Sequence, residues 1–375
     1  MNGRPKRVLQ VVRAMNRGGV ETWLMHIVRS LDPRRLQLDF LVHTSEPADY
    51  NRELQGRGSR LIPCTVSWRT PSYAMAIRGV LRQFGPYDVI HSHVHHFSGL
   101  LLSLARVLNV PVRIAHSHSD TSRQDEAAGW LRRRYLQCAD AGIGRCATHW
   151  VAASRAAGQA LFGLGWENDA RSQVLHCGID LRPYGNLRRR EDARAELGIE
   201  RNDVVIGHVG RFEAPKNHAF LVQVAADAVR RWPNLRLVLV GEGSFRKLIE
   251  DQVQALGLGP RTLFLGARAD VPHLLPAMDA FVFPSLWEGL PLTVVEAQAA
   301  GLPCLISDCI STETDVVPEL VQRMGLSEGA GAWADALTGL IGGPRLSQAA
   351  ALACVESSDF DIHRCLEGLY ALYAV

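Results

Sequence analysis

Short apolar runs alternate with helical patterns along the whole chain, in two successive series. The first contains RVLQVV, LQLDFLV, YDVIHSH, VRIAHSH, HWVAAS and SQVLHCGI, with helical patterns such as VETWLMHIVRSL and GLLLSLARVL between them. The second contains VVIGHVG, LRLVLVG, TLFLG, AFVFPS and PCLIS, each followed by a helical or turn segment. Strands that alternate with helices predict parallel sheets covered by helices. We therefore expect an α/β protein with two doubly wound parallel-sheet domains.

A polar stretch separates the two series. DLRPYGNLRRREDARAELGIERND carries Pro and Gly near its start and a helical pattern after them, as an interdomain connection does. We predict a first domain over 1–180 and a second over 181–355, with 181–202 as the linker. Residues 356–375 end the chain with apolar residues at helical spacing, which predicts a terminal helix.

Composition and charge narrow the class of protein. The 375 residues are 47% hydrophobic and 21% charged, an ordinary globular profile without a long apolar run, and this predicts a cytoplasmic protein. The eight cysteines contain no C-x-x-C pair, which indicates reduced thiols. Residues 1–180 carry a net charge of +9 and residues 181–375 one of −6, which together give the +3 of the chain.

The basic half is predicted to face an anionic partner. Arg132, Arg133 and Arg134 fall in one helical pattern, which suits a lipid-phosphate acceptor or the inner leaflet of the cytoplasmic membrane. Arginine used only as a solubilising surface residue is the alternative. No RNP, zinc-finger or aromatic-interleaved basic motif is present, so we expect no nucleic-acid partner.

Two glutamates mark a turn and a helix in the second series. Glu288 follows the strand-like run AFVFPS, and Glu296 falls within the first turns of the next helix. Pro291 fits the first helical position, and Gly301 fits the end of the helix. The Glu288-Gly289-Leu290 turn therefore lies at the carboxyl end of a strand, where open α/β sheets bind ligands.

Unpaired backbone N–H groups make this helix start a predicted phosphate site. The groups near Leu290, Leu292 and Thr293 would face a phosphate, with the positive end of the helix dipole behind them. Glu296 is then placed to hold a ribose diol. For two glutamates alone, surface acids on an amphipathic helix would be the simpler interpretation.

The Glu-x7-Glu spacing resembles the signature of the retaining family-4 glycosyltransferases of the GT-B fold. The longer string SLWEGLPLTVVEAQAAGLPCLISD is similar to members that build bacterial exopolysaccharides and capsules. The resemblance implies two Rossmann-like domains that face a central cleft, with acceptor binding in 1–180, donor binding in 181–355 and a terminal helix that returns to the first domain. It also implies that Glu288 contacts the donor sugar and Glu296 the ribose.

A second turn in the same domain carries two cations. Gly210, Arg211 and Lys216 follow the run VVIGHVG, so a guanidinium fork and an ammonium group are available to hold a diphosphate. The resemblance implies that Arg211 and Lys216 stabilise this diphosphate as the leaving group. A solvated loop is the alternative interpretation.

Histidines end two strands of the first series. HSHVHH (91–96) and HSHS (116–119) each place imidazoles at i and i+2, hence on one face. A zinc or two-metal hydrolase site built from His91, His93, His116 and His118 is one interpretation, although Asp120 is the one carboxylate at a suitable spacing. The resemblance instead implies that His118 lies near the donor sugar. A purely structural role for His118 is the third interpretation.

Other glycines and acids are less specific. Gly18 and Gly19 precede the first helix and allow close approach of a ligand, by resemblance the donor phosphate or the acceptor, or else form a simple tight turn. Gly241-x-Gly243 follows a strand but has Arg246 at the third glycine position, and Gly142-x-Gly144 follows a helical pattern, so neither pair supports a dinucleotide site. Asp359 and Asp361 precede the terminal helix, which indicates helix capping.

The sequence thus predicts a metal-independent, retaining hexosyltransferase without a cofactor. It would move a hexose or N-acetylhexosamine from a nucleotide sugar, a UDP-sugar by expectation, to a saccharide or lipid-linked saccharide. Three other classes stay open: a GT-B epimerase or hydrolase of a nucleotide sugar, a non-catalytic scaffold subunit, and a metal-dependent hydrolase. The chain departs from the family pattern at His176-Cys177-Gly178, where many members have Asn-Gly.

Overall fold

The computed structural model describes residues 4–67, 71–119, 129–343 and 346–374. The chain forms two compact units. The first contains Met1–Gly178 together with Ile362–Val375, and the second contains Ile179–Asp361. Within the described residues, no helix combines the length and apolar character that crossing a membrane requires. All eight cysteines lie in these segments as free thiols.

The first unit is built on a seven-stranded sheet in the order β3-β2-β1-β4-β5-β6-β7. Every neighbouring pair is parallel. The strands are β1 Lys6–Val12, β2 Leu36–Val42, β3 Leu61–Pro63, β4 Val89–Ser92, β5 Val112–Ser117, β6 His149–Ala152 and β7 Ser172–Val174. The helices before Gly178 are α1 Gly19–Ser30, α2 Asn51–Gly56, α3 Ser72–Phe84, α4 Ser98–Val107, α5 Trp130–Cys146 and α6 Arg155–Phe162, with 3-10 turns at His95–Phe97 and Trp166–Asn168.

The second unit repeats this plan with six parallel strands in the order β10-β9-β8-β11-β12-β13. They are β8 Val204–Val209, β9 Leu235–Val240, β10 Thr262–Phe264, β11 Ala280–Phe283, β12 Cys304–Ser307 and β13 Val321–Met324. The helices are α7 Arg190–Glu196, α8 His218–Ala228, α9 Arg246–Ala255, α10 Val271–Leu274, α11 Leu292–Ala299, α12 Gly329–Gly342 and α13 Gln348–Glu356. Short 3-10 turns include Arg182–Asn186 and Ala214–Lys216.

The central strands are buried on both faces, as their unbroken apolar runs predict. In the first unit Leu9, Val11 and Ile90 are at most 1% exposed, and in the second Ile206 and Val282 are fully buried. The α/β class and the two parallel sheets are confirmed. The sequence did not predict the edge strands β3 and β13, because three residues ending in proline and the mixed run VQRM give no clear strand pattern.

The terminal helix α14, Ile362–Leu372, packs in the first unit. The Trp23 indole N–H of α1 donates to the Cys365 thiol over 3.3 Å, and the backbone N–H of Asp32 donates to the Tyr370 hydroxyl over 3.1 Å. The Arg35 guanidinium lies 3.6 Å from the centre of the Tyr370 ring, a cation–π contact. These contacts hold the last residues of the chain against α1.

A buried arginine fixes the segment that opens the second unit. Arg194 of α7 is 3% exposed, and its guanidinium donates to Asp279 over 2.8 Å. It also donates to four backbone oxygens, those of Ala277, Glu200, Arg201 and Asp203. The other carboxylate oxygen of Asp279 accepts from Arg190 over 2.6 Å. Asp279 therefore compensates a charge that has almost no access to water.

Removal of that carboxylate is expected to destabilise the second unit. Asp279→Ala leaves Arg194 charged and buried without its anionic partner, which costs about 3–5 kcal/mol. Urea unfolding measures the loss. The exposed pair of Lys247 and Asp251 supplies a control, since Asp251→Ala is expected to cost at most about 1 kcal/mol. Equal costs for the two variants would contradict this account of Asp279.

Candidate functional site

The carboxyl ends of β8 and β11 are neighbours in the second sheet, so the turns that follow them meet. The Leu286 N–H donates to the Pro215 carbonyl over 2.8 Å. The Asn217 side-chain amide donates to the Pro284 carbonyl over 3.1 Å. These two bonds join the cation-bearing turn after β8 to the glutamate-bearing turn after β11.

Lys216 and Glu288 form an ion pair at this junction. The Lys216 Nζ donates to Glu288 Oε1 over 2.7 Å, and the two side chains are only 20% and 13% exposed. The same ammonium lies 4.8 Å from the centre of the Phe283 ring. Two residues that the sequence assigned separately to the donor thus contact each other, a pairing that spacing along the chain could not reveal.

Arg211 lies on the same turn as Lys216, directly after a glycine that leaves no room for a side chain. A Cβ on Gly210 would come within 2.7 Å of His208 Nε2 and 3.3 Å of Lys216 Cδ. The Arg211 side chain itself is exposed. Across the described ranges it has neither a hydrogen-bond nor an ion-pair partner. A guanidinium in this state is available to a ligand.

The glycine pair after β9 supports that turn. A Cβ on Gly241 would collide with the Gly210 carbonyl, and one on Gly243 would collide with the backbone of Phe212. The Phe212 N–H donates to the Glu242 carbonyl over 3.0 Å, and the Phe245 N–H donates to the Phe212 carbonyl over 2.9 Å. Gly241-x-Gly243 therefore allows two backbones to approach closely and does not form a dinucleotide fingerprint.

The start of α11 presents unpaired donors. The helix begins at Leu292, one residue later than predicted, and Pro291 is its N-cap. In the part of the chain that the structure describes, the backbone N–H groups of Leu290, Leu292 and Thr293 reach no protein acceptor. The Thr293 hydroxyl is buried and also unpaired there. Together with the helix dipole, these groups can bind an anion. Gly289 lies between Glu288 and these donors.

Glu296 lies on the second turn of α11, and burial raises the pKa of its carboxyl to about 7. The Tyr184 hydroxyl lowers this pKa in part, but among the described residues it reaches no acceptor at hydrogen-bond geometry. Tyr184 is 1% exposed and lies in the turn Arg182–Asn186. The Gln348 amide donates to the backbone oxygens of Tyr184 and Ala299, over 3.0 and 3.1 Å. The sequence did not indicate Tyr184, since one aromatic residue in a polar connection has no informative spacing.

The predicted histidines of the first unit come together in one cluster. Nitrogen atoms of His91, His93 and His116 lie within 4.8 Å of one another, close enough to be candidate metal ligands. His118 is not part of that triad, and Asp120 lies outside the described residues. The His118 Nε2 is 2.8 Å from His93 Nδ1, and its Nδ1 is 3.6 Å from the Cys177 thiol.

Gly18 and Gly19 lie at the start of α1, as predicted. Gly18 is the N-cap, and the Glu21 carboxylate occupies the space that a Cβ on Gly18 would need. A carboxylate in the first turn is favoured by the helix dipole. The space around Gly19 is open.

The sequence matches two families over most of its length. Residues 17–182 match the family described as Glycosyltransferase Family 4, and residues 189–351 match Glycosyl transferases group 1. EpsF of Bacillus subtilis strain 168, assigned as a glycosyltransferase, is 37% identical over 340 residues, which are 90% of this chain and 88% of EpsF. The chain therefore belongs to the family-4 glycosyltransferases of the GT-B fold and is a transferase.

Two further relatives are informative. The UDP-Gal:alpha-D-GlcNAc-diphosphoundecaprenol alpha-1,3-galactosyltransferase of Escherichia coli is 30% identical over 228 residues, which are 59% of this chain and 58% of that enzyme. The crystal structure of Anabaena Alr3699/HepE in complex with UDP and glucose has a TM-score of 0.77 and 20% identity. It covers 98% of this chain and 99% of HepE, and this likeness shows the shared fold.

The raised pKa of Glu296 predicts a pH-dependent stability. The folded pKa, about 7, exceeds the ordinary value of 4.5, so the associated stability is present below about pH 4.5 and is lost as the pH rises through about 7. Glu296→Gln removes this loss. We expect its melting temperature to exceed that of the wild type by at least about 3 °C near pH 8.5 and by little near pH 5.

The exposed Glu319 supplies the matched control. Glu319→Gln is expected to leave the melting temperature unchanged at both pH values. A Glu296→Gln effect of equal size near pH 5 and pH 8.5 would show that ionisation of this carboxyl is not its cause.

Proposed function

We propose that the protein is a retaining, metal-independent glycosyltransferase that moves a hexose or N-acetylhexosamine from a UDP-sugar to a saccharide or lipid-linked saccharide acceptor. The product would belong to an exopolysaccharide, capsule or other cell-surface glycan. The main observation in support is that two adjoining turns contain the Lys216–Glu288 pair, the exposed Arg211 and the unpaired donors of α11. This set of groups suits a nucleoside diphosphate bearing a sugar.

The diphosphate would bind both to the two cations and to the positive end of the α11 dipole. Arg211 supplies a guanidinium fork, Lys216 a point charge, and α11 its unpaired N–H groups. These fixed positive groups can stabilise the charge that develops as the nucleoside diphosphate departs, the role that a divalent ion plays in metal-dependent enzymes. We assign no enzymic nucleophile.

The Lys216–Glu288 pair indicates how the empty site keeps its charges compensated. A phosphate that binds near Lys216 would compete with Glu288 for the ammonium group. Glu288 would then be released to accept hydrogen bonds from sugar hydroxyls. The ion pair and the ligand-bound arrangement therefore use the same two side chains in succession, with Gly289 allowing the turn to change.

Glu296 and His118 complete the donor assignment. Glu296 would accept hydrogen bonds from the ribose hydroxyls. His118 would hydrogen-bond a hydroxyl of the donor sugar. Gly18 and Gly19 remain predicted contacts of the donor phosphate or the acceptor, with the Glu21 carboxylate displaced from Gly18.

The choice of donor and acceptor draws support from the relatives. HepE was crystallised with UDP and glucose, and the Escherichia coli relative takes its name from a UDP-galactose donor and a diphosphoundecaprenol-linked acceptor. A lipid-linked acceptor requires access to a membrane surface. We assign this protein to the cytoplasm, with peripheral binding to the inner face of the cytoplasmic membrane.

The start of α5 has the composition of a membrane-binding surface. Trp130 and Leu131 are 72% and 67% exposed, and Tyr135 is 37% exposed. Arg132, Arg133 and Arg134 are exposed between them. Apolar and aromatic side chains that insert between headgroups, next to arginines that attract anionic lipid, are typical of interfacial helices.

Binding of UDP tests the donor site. Lys216→Met removes a charged donor to phosphate, so we expect UDP affinity in isothermal titration to fall about 10- to 100-fold. Glu288→Gln frees Lys216 from its ion pair, so UDP affinity should stay equal or rise while sugar transfer falls by at least about 100-fold. Lys247→Met, at an exposed lysine on α9, is the control and should change neither.

Product analysis separates the remaining classes. Wild-type protein given radiolabelled UDP-sugar and a lipid-linked acceptor should form a labelled lipid-linked product in the presence of a chelator. A free sugar or an isomerised donor as the sole product would identify a hydrolase or an epimerase. UDP binding without turnover would identify a scaffold, and activity abolished by the chelator would contradict metal independence.

Vesicle sedimentation tests the membrane surface. Each arginine near an anionic leaflet contributes about 1 kcal/mol, so replacing Arg132, Arg133 and Arg134 by glutamine should weaken binding to phosphatidylglycerol vesicles on the order of 100-fold. Trp130→Ala should also weaken it. Leu248→Ser, at a leucine 58% exposed in the second unit, is the control. Unchanged binding of the arginine variant would exclude this surface.

A further inference from the structure

Buried polar side chains of the first unit form one continuous hydrogen-bonded chain. The Gln10 amide occupies its centre, 3.2 Å from the Tyr373 hydroxyl through Nε2 and 2.7 Å from His93 Nε2 through Oε1. On the first side, Tyr373 contacts His91 Nδ1 over 2.7 Å, and His91 Nε2 contacts His116 Nδ1 over 3.0 Å. On the second side, His93 contacts His118, which contacts Cys177.

The Gln10 amide determines the direction of the hydrogen bonds on the second side of this chain. In this orientation the oxygen of the amide faces His93 and can only accept, so His93 carries its proton on Nε2. Its Nδ1 is therefore bare and accepts from the Nε2–H of His118. The Nδ1 of His118 is bare in turn, and the Cys177 thiol donates to it over a long 3.6 Å. One amide thus selects the tautomer of His118 from two residues away.

The same reasoning applies on the first side. The Gln10 Nε2–H donates to Tyr373, whose own buried proton must then be donated to His91 Nδ1 to avoid an unpaired hydroxyl. His91 donates from Nε2 to His116, which leaves a proton on His116 Nε2. With the amide in this orientation, all four imidazoles are Nε2–H tautomers.

The rings are neutral at physiological pH. Burial lowers the pKa of His91, His93 and His116 well below the ordinary value and that of His118 to about 3. These four imidazoles can therefore differ in tautomer but not in charge. A metal ion would have to replace the hydrogen bonds of His91, His93 and His116, whose nitrogens are paired except for Nε2 of His116.

We propose that Gln10 is a positioning residue that holds His118 as the Nε2–H tautomer, so that His118 meets the donor sugar as a hydrogen-bond acceptor through Nδ1. The inference rests on the proposed contact between His118 and the donor. The sugar hydroxyl would displace the Cys177 thiol, which is a weak donor at long distance. The site would then favour a donor sugar with a free hydroxyl at this position.

Nuclear magnetic resonance of histidine-labelled full-length protein tests the tautomer directly. A two-bond proton–nitrogen correlation spectrum should show His118 of the wild type with its proton on Nε2. Gln10→Met removes the acceptor that fixes His93, so the His118 signals should shift or show a second tautomer. Tyr373→Phe is the matched control, because it breaks a bond to the same amide yet keeps Gln10 Oε1 on His93, and His118 should not change.

Affinity supplies the second readout. Gln10→Met should weaken UDP-sugar binding about 3- to 10-fold while UDP binding stays unchanged, the expected loss of one neutral hydrogen bond to the sugar. Cys177→Ala should keep the His118 tautomer and should not weaken UDP-sugar binding, which provides a test even where Gln10→Met fails to fold.

Three outcomes would overturn the inference. They are a wild-type His118 with its proton on Nδ1 or on both nitrogens, stoichiometric metal in the purified protein, or a folded Gln10→Met with unaltered His118 signals and unaltered UDP-sugar binding. Failure of the proposed function is distinct from these, since the wild type would then show the predicted tautomer but bind neither UDP nor UDP-sugar.

Discussion

The parallel arrangement of the strands is the constraint on which the candidate site depends. Because every strand of the second sheet runs in the same direction, the turns after β8 and β11 emerge at one edge, and the helices that follow begin there. Lys216, which is far from Glu288 in sequence, thus reaches it in space. The same edge presents the positive end of α11, which favours an anion at this place.

The second unit balances charges that a ligand must later redistribute. An unpaired ammonium or carboxylate at 20% or 13% exposure would be costly, and the Lys216–Glu288 bond removes that cost without a ligand. Glu296 is handled differently, since its raised pKa lets it keep a proton near neutrality. Above about pH 7, ionised Glu296 therefore costs stability, as groups kept for binding commonly do.

The sequence predicted the elements whose apolar residues recur at the regular spacing of a strand or a helix. Buried strands such as AFVFPS and helices such as VETWLMHIVRSL follow from apolar spacing, and the turns at Arg211 and Glu288 follow from their position after strands. Tyr184, Gln10 and Tyr373 were not identified, because their roles come from contacts across the fold. The edge strands were missed for a different reason: an edge needs few apolar residues and leaves a weak pattern.

The two units differ in which property of their polar side chains the surroundings determine. At the edge of the second sheet this property is charge, since Lys216 and Glu288 are charged and still partly exposed to water. Inside the first unit, burial has made charge too expensive for four neighbouring imidazoles, so what is left to specify is which nitrogen carries the proton. A single amide can specify this because its oxygen never donates and its nitrogen never accepts. Replacing that amide is therefore expected to change which nitrogen carries the proton in rings that the amide does not touch.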